Sequence, residues 1–502
     1  MRGPDVPVVV RLELHALSQR LRVGLATLGI GTEAHGEDAD PTTAGRLLVL
    51  FVERVRSSRS QPELWLLLTL VAGGFPDATT LRRCERRLRV VGVQEAAAFL
   101  LQTVLPGIDP TADRGVHAVV LDRQVVVDVD FCATNEHHTG IQRVVRETVP
   151  HWVREHPLTL VAWWEDRACY RRLETDEEER VLRWDTRGPE APSRPAPSAL
   201  VVPYRSHVVL PETPDASRSA VLACLAQHSG NVVGMVGYDC IPLVSPELVH
   251  PGLPDRFMQY LGVVKHAHRV AGISAAATTE FAGFADMLGA QGLEGPQVSS
   301  VPLPAEAAPP DRDTPSEDDP LVLSIGSFEP RKNQLTVLVA AEELWRSGLR
   351  FRLRFIGGGG YPTEFDAVLA KVRHAGRPVD VNVRVTEEEL RRSYAEARFT
   401  VFVSLHEGYG LPVTESLSHG TPVLTTGYGS TAEIADAGGC LVVDPRDGVA
   451  VRRQLHRLLT DDDLVRTLRE EAARRTPRTW SQYADEAWAS LVGASAASGV
   501  LR

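Results

Sequence analysis

The chain has 502 residues, 43% of them hydrophobic and 24% charged, with a formal net charge of −11. That length is too great for one core and fits two or three domains of ordinary globular composition. The acidic balance argues against a general nucleic-acid binder, and the most apolar stretch, residues 64–72, is too short to span a bilayer.

Residues 1–10 carry Asp5 and two prolines, so no secretory signal is expected there. The six cysteines (84, 132, 169, 224, 240 and 440) are scattered without a Cys-x-x-Cys pair, a pattern that suits reduced thiols in a cytoplasmic protein rather than a zinc site. Only three of the 54 basic residues are lysines: Lys265, Lys332 and Lys371. That arginine bias suggests a high-GC, bacterial genome and draws attention to each lysine kept.

Apolar positions at helical spacing predict helices over 8–28, 43–57, 62–73, 78–91 and 94–104, punctuated by Pro62, Gly73-Gly74, Pro76, Gly92 and Pro106. No catalytic constellation lies among them. Residues 1–116 read as a helical accessory region for docking, self-association or peripheral membrane contact. From Val119 strands alternate with helices. Strands are expected at 125–130 and 158–163, near 200–210 and at 231–237, with helices at 141–154 and 214–228 and a Pro-rich loop at 186–198. Residues 305–320, rich in Pro, Asp and Glu, read as a linker. A second series follows, with strands at 321–326, 351–356 and 400–403 and helices at 333–347 and 386–397, the latter opened by a Thr-x-x-Glu capping box. The expected fold is therefore α/β: two doubly wound sheets facing across a cleft, with ligands at the carboxyl ends of the strands.

The most informative segment is residues 406–422. Glu407 and Glu415 flank a Gly-Tyr-Gly-Leu-Pro turn between a buried strand and a helix, with Pro412 at the helix start and Gly420 at its stop. Free backbone N–H groups at a helix start attract an anion, and carboxylates accept hydrogen bonds from hydroxyls. Together they suit a phosphate joined to a polyol, such as a nucleotide sugar. In Gly326-Ser-Phe-Glu-Pro-Arg-Lys-Asn333, Arg331 and Lys332 stand at a strand's carboxyl end, where paired cations hold a diphosphate without metal. Gly357 to Gly360 allow close backbone approach or a flexible turn.

In the first α/β series, Thr139-Gly-Ile-Gln-Arg143 opens a helix. Gly140 would let a phosphate or sugar approach, Arg143 could reach it, and a plain cap is the alternative. His137 and His138 read as solvated. Asp239 in Gly237-Tyr-Asp-Cys-Ile-Pro242 faces the expected cleft or closes an Asx-turn. Asp128 and Asp130 lie in an apolar strand, where alternation puts both on one face. A structural or cleft-edge role is favoured there over metal chelation. Ser430-Thr-Ala-Glu433 reads as a capping box, with Glu433 in a structural role.

These residues resemble the retaining GT-B glycosyltransferases of family 4 over about residues 120–500. Glu407-Gly-Tyr-Gly-Leu-Pro-x-x-Glu415 resembles the family's Glu-x7-Glu motif, and Arg331-Lys332 its diphosphate clamp. Thr139 to Arg143 and Tyr238 to Pro242 resemble a subgroup that includes bacterial mannosyltransferases of polysaccharide assembly. Thr479-Trp480-Ser481 resembles the segment before a terminal helix that crosses back to the first domain. The resemblance implies Rossmann-like domains at 117–318 (acceptor side) and 319–481 (nucleotide-sugar side), with a crossing helix in 482–502. It implies Glu407 on the donor sugar hydroxyls and Glu415 on the ribose hydroxyls. Amides of Gly408, Tyr409, Gly410 and Leu411 would serve sugar and phosphate, with Gly326 and Gly357 beside them. Arg331 and Lys332 would serve the leaving diphosphate, with Asp239 in the catalytic set and Thr139, Gly140 and Arg143 as an acceptor or phosphate loop. Many relatives carry His where this chain has Tyr238, so no histidine-assisted step is expected. The implied activity is metal-independent, retaining transfer of a mannose-like sugar, with no resident cofactor. GDP-sugar is the first expected donor and UDP-sugar the second. The acceptor is a glycan, a peptide or a natural product. The alternatives are a catalytically silent GT-B scaffold and a metal-dependent enzyme using Asp128 and Asp130.

Overall fold

The computed structural model describes residues 8–32, 41–104, 116–136, 139–184, 199–304, 319–359 and 363–493. The 186–198 loop, His137, His138, Gly360 and nearly all of the 305–320 linker lie outside them. Among the described residues two sheets form. The first contains β1 (His117–Asp122), β2 (Val125–Asp128), β3 (Thr159–Trp164), β4 (Cys169–Arg172), β5 (Ala199–Tyr204), β6 (His207–Leu210), β7 (Val232–Gly237), β8 (Arg269–Gly272) and β9 (Gln297–Ser300). Their order is β1-β5-β4-β3-β2-β6-β7-β8-β9. The second contains β10 (Leu321–Ile325), β11 (Arg352–Ile356), β12 (Val379–Asn382), β13 (Ala397–Phe402), β14 (Val423–Thr426) and β15 (Cys440–Val443), ordered β12-β11-β10-β13-β14-β15.

The second sheet is parallel throughout, as its apolar runs require when helices cover both faces. Its order reverses between β10 and β13, which leaves a crevice at their carboxyl ends. The first sheet is mixed rather than wholly parallel: β4 runs antiparallel to β3 and β5. A 3-10 turn, Glu165–Arg167, and Ala168 at φ 47° fold β4 back on β3. Its arginines hide it from a hydrophobicity scan. Arg171 is buried because the carboxylate of Glu177 takes both of its terminal nitrogens, at 2.6 and 2.8 Å.

The five N-terminal helices (Val8–Thr27, Pro41–Ser58, Gln61–Ala72, Ala78–Val90 and Val93–Val104) are present, but not as a separate bundle. They share one core with a face of the first sheet, running from Leu17 through Trp65, Tyr170 and Val201 to Phe281. Arg20, almost wholly buried, donates to the carbonyls of Leu70 (2.8 Å) and Val116 (2.9 Å), tying the first helix to the third and to the entry of β1. The opposite face is covered by the helices Gly140–Glu155, Thr175–Leu182 and Trp480–Leu491. That last helix returns from the second sheet, and the Trp152 indole N–H donates to the Ala484 carbonyl at 2.8 Å.

The Asp128–Asp130 segment also differs from its expectation. The strand ends at Asp128, and Asp130 opens a short helix, Asp130–Thr134, so strand alternation does not relate the two. No described helix is long and apolar enough to cross a membrane.

Candidate functional site

Two turns at the switch point of the second sheet build the site. After β10 the chain passes Gly326 at φ 143°, beside Gly357 at φ 153°, which follows β11. A Cβ on Gly357 would lie 2.0 Å from the Gly326 carbonyl oxygen, so both positions need glycine. A 3-10 turn, Pro330–Lys332, then delivers the two cations, and Asn333 at φ 58° starts the next helix. The Asn333 amide donates to the carbonyls of Val403 (3.2 Å) and Pro445 (2.9 Å), and the Leu405 N–H donates to the Arg331 carbonyl at 2.7 Å. The first turn is thereby laced to the second, which follows β13.

The structure brings Arg331, Lys332 and Glu407 into one partly buried ion cluster. Lys332 Nζ lies 2.6 Å from Glu407 Oε1, Arg331 Nη1 3.0 Å from Oε2, and Arg331 Nε 2.8 Å from Glu329. Burial alone would raise the Glu407 carboxyl, but Lys332 and Arg331 outweigh it and hold it below the usual range. Burial likewise pulls the Lys332 ammonium down, with Glu407 opposing. The cations expected to meet a diphosphate are thus paired in part with the carboxylate expected to meet the sugar.

Glu415 sits one turn into the helix Leu411–Ser418, which stops before Gly420 at φ 71°. Its carboxylate accepts from the Tyr394 hydroxyl at 2.5 Å and from Arg143 of the first domain. Thr139 and Gln142 form a capping box that starts the Gly140–Glu155 helix. A Cβ on Gly140 would touch Leu411 Cδ1 at 3.5 Å. Thr139, Gly140 and Arg143 therefore face the Glu415 helix directly.

Across the cleft, Asp239 Oδ1 accepts the Ile241 N–H at 3.1 Å, the Asx-turn arrangement. Burial raises its carboxyl above the usual range, with Arg331 opposing. It is also a cleft residue: a Cβ on Gly408 would come 3.1 Å from Asp239 Cβ and 2.4 Å from the Tyr238 carbonyl oxygen. The Tyr238 hydroxyl is turned away and donates to the Pro211 carbonyl at 2.7 Å. Tyr409 donates to the Leu303 carbonyl at 2.7 Å, and Gly410 takes φ 115° to start the Glu415 helix.

Several participants escaped the sequence reading. His406 bridges the domains, with Nε2 2.8 Å from Glu280 and Nδ1 2.9 Å from Ser245. The Glu280 hydrogen bond raises its imidazole above the ordinary value, against burial. Glu280 also accepts the Cys240 N–H at 2.6 Å, and Ser274 donates to the Gly408 carbonyl at 2.7 Å. His406 adjoins Glu407 at the strand exit, a signal the sequence did contain. Glu433 corrects an expectation. Tyr428, not Ser430, caps the helix Gly429–Ala435. The Ser430 hydroxyl donates to the Glu407 carbonyl (2.9 Å), while Glu433 accepts from Ala275 N (2.9 Å) and Ala276 N (2.6 Å) in the first domain. A free carboxylate finds a better seat at exposed helix-start amides than on its own short helix.

Asp128 and Asp130 make a poor cation cradle. Burial pushes the Asp128 carboxyl up to about 8, so it carries a proton at neutral pH. Asp130 is paired with Arg218 at 2.5 Å and accepts the Trp163 N–H at 2.8 Å. Among the described residues no group of three or more His, Cys, Asp or Glu converges as metal ligands do.

Residues 310–475 match the family of glycosyl transferases group 1. The Escherichia coli serotype-specific mannosyltransferase WbdA is 26% identical over 342 residues, covering 62% of this chain and 39% of WbdA. The Escherichia coli O-antigen chain mannosyltransferase B is 35% identical over 142 residues, covering 28% of this chain and 37% of that protein. The chain thus matches less than half the length of either. The sucrose-phosphate synthase structure from Thermosynechococcus elongatus superposes with a TM-score of 0.51 at 15% identity, covering 72% of this chain and 97% of that one. The chain therefore has the GT-B fold, and its residues 310–475 are similar to the glycosyl transferases group 1.

Proposed function

We propose that this protein transfers a hexose, mannose-like in the first instance, from a nucleotide-diphosphate donor to a hydroxyl acceptor with retention and without metal. The observation that carries the reading is the Arg331–Lys332–Glu407 cluster at the sheet's switch point, opposite Asp239. In the reaction the bond between the sugar's anomeric carbon and the diphosphate oxygen breaks. The acceptor oxygen bonds to that carbon, and the acceptor's proton passes to the leaving diphosphate on the same face. Charge builds on the diphosphate, and cations already fixed in the crevice stabilise it with little reorganisation. Glu407 would exchange part of its ion pairing for the sugar hydroxyls, and Glu415 would take the ribose. GDP is the first candidate nucleotide and UDP the second. A reducing cytoplasm would suit the six cysteines, none of which is in a disulfide.

Lys332→Ala and Glu407→Ala are expected to abolish transfer, with circular dichroism unchanged. Wild-type turnover in both variants would refute the assignment. A thermal-shift screen over GDP, UDP, ADP and dTDP identifies the base, since ligand at a hundred times its Kd adds about 2.7 kcal/mol. Full activity in EDTA is expected, and its loss would return Asp128 and Asp130 to consideration. A protein that binds no nucleotide and hydrolyses no donor would instead be a silent scaffold.

A further inference from the structure

Beside the ion cluster the cleft opens into a cavity of about 450 Å³. One end is polar, formed by Asp239 and His250 of the first domain with Glu329 and Arg331 of the second. The other wall belongs to the first domain alone and is apolar: Ile241, Pro242, Val249 and Leu253. Ile241 and Pro242 lie on a short helix, Ile241–Val244, Leu253 starts the helix Leu253–Val264, which packs against it, and Val249 lies in the connection between the two. Positions on the same two helices are also apolar and exposed. Leu243 is 45% exposed, Val244 56%, Leu253 38% and Met258 54%. Isolated exposed apolar side chains are ordinary. Here four of the thirteen large ones among the described residues fall within the 16 positions 243–258, on the two helices that contribute Ile241, Pro242 and Leu253 to the cavity. A cluster at such a place marks a surface that something covers.

The wall is fixed relative to the ion cluster. At its start the Ile241 N–H is held by Asp239 (3.1 Å) and the Cys240 N–H by Glu280 (2.6 Å). At its middle the Ser245 hydroxyl meets His406, the neighbour of Glu407, at 2.9 Å. A molecule lying along the wall would therefore present one end to Asp239 and Arg331 in a defined register.

We propose that this cavity is the acceptor site, and that the acceptor is an amphiphile whose hydroxyl-bearing head enters between Asp239 and Arg331 while an apolar body lies over Val249 and Leu253. The inference rests on the glycosyl-transfer reading for the chemistry of the head, and on the wall itself for the tail. A free sugar or a wholly polar glycan would leave that wall wet.

The test pairs two acceptors with the same head, a methyl hexoside and an octyl hexoside below its micelle concentration. Each methylene taken from water is worth about fourfold in affinity, so an octyl chain that covers two or three predicts a KM roughly ten- to sixtyfold lower. Leu253→Asp, alone and with Val249→Ser, should bring the two KM values together. Leu253 stands in the first turn of its helix, where an acidic residue is favourable, so the fold tolerates the change. Equal KM values in the wild type, or a preference that survives both substitutions, overturns the proposal. Saturation-transfer NMR without donor provides a readout that needs no turnover. Octyl-chain contacts in the wild type that vanish in Leu253→Asp uphold the site even if every donor proves inert, in which case the transfer reading falls instead. Absence of such contacts in the wild type overturns the site whether or not sugar is transferred.

Discussion

Gly408→Ala isolates what the cleft's closed geometry contributes. The new methyl carbon would stand 2.4 Å from the Tyr238 carbonyl oxygen and 3.2 Å from Asp239 Oδ2, where ordinary contact begins at 3.4 Å. The nearer obstacle is backbone at a strand exit and cannot swing aside, and the Asp239 side chain is held in its turn by the Ile241 N–H. The second domain must therefore withdraw from the first by about 1 Å, the gap between 2.4 and 3.4 Å, carrying the Glu407 turn with it. The Ser274 bond to the Gly408 carbonyl is then lost as well. Misplacing reacting groups by that distance costs roughly 10²-fold in rate. Nucleotide binding should change little, because Arg331, Lys332, Glu407 and Glu415 all lie in the second domain and keep their mutual geometry. The expected signature is kcat/KM down about a hundredfold with nucleotide affinity nearly constant, read by steady-state kinetics and calorimetric titration. Wild-type kcat/KM would refute the reasoning. A selective loss of nucleotide affinity would mean that Gly408 serves the donor rather than the interface.

The His406–Glu280 contact predicts a pH limb. Glu280 favours the charged imidazole, so the cross-domain tie is complete below the ordinary histidine range and weakens as pH rises through the raised value. Asp239 and Glu407 also face His406 and add to the same sign. The alkaline limb of kcat/KM should move to lower pH in Glu280→Gln, since the hydrogen-bonded opposite charge that favours the imidazolium is lost. An unmoved limb would assign it to another group. Arg143 and Glu415 form an ion pair across the cleft. A double-mutant cycle with alanine at both positions should give a coupling of about 0.5–1.5 kcal/mol in thermal denaturation, and strict additivity would mean that the two do not meet in solution.

What was legible in the sequence was local. The strand–glycine–helix units declared themselves through period, caps and turns, so the GT-B architecture and the positions of Arg331, Lys332 and Glu407 at strand exits could be read from residues a few places apart. Partnerships across the cleft could not. Arg143 meets Glu415 across 272 positions, Ala275 meets Glu433 across 158 and His406 meets Glu280 across 126, and no periodicity encodes such pairs. Glu433 shows the hazard: its spacing from Ser430 fits a capping box, yet both side chains have stronger partners elsewhere. The N-terminal helices show another. The helix Gln61–Ala72 is buried from Glu63 through Val71, which signals cover on all sides without naming the sheet that supplies it.

The returning helix Trp480–Leu491 has a consequence for synthesis. Its Trp480, Tyr483, Trp488 and Leu491 close a core with Val125, Val127, Val144 and Trp152, residues made more than three hundred positions earlier. While the ribosome is still producing the second domain, the part of that face that Trp480–Leu491 will cover stands open. The early half of the protein is a partly built intermediate with a sticky apolar surface until nearly the whole chain has emerged. The late-arriving helix thus fastens the first domain and the order of assembly together, and a nascent chain stalled within the second domain would be a client for chaperones rather than a folded half-enzyme.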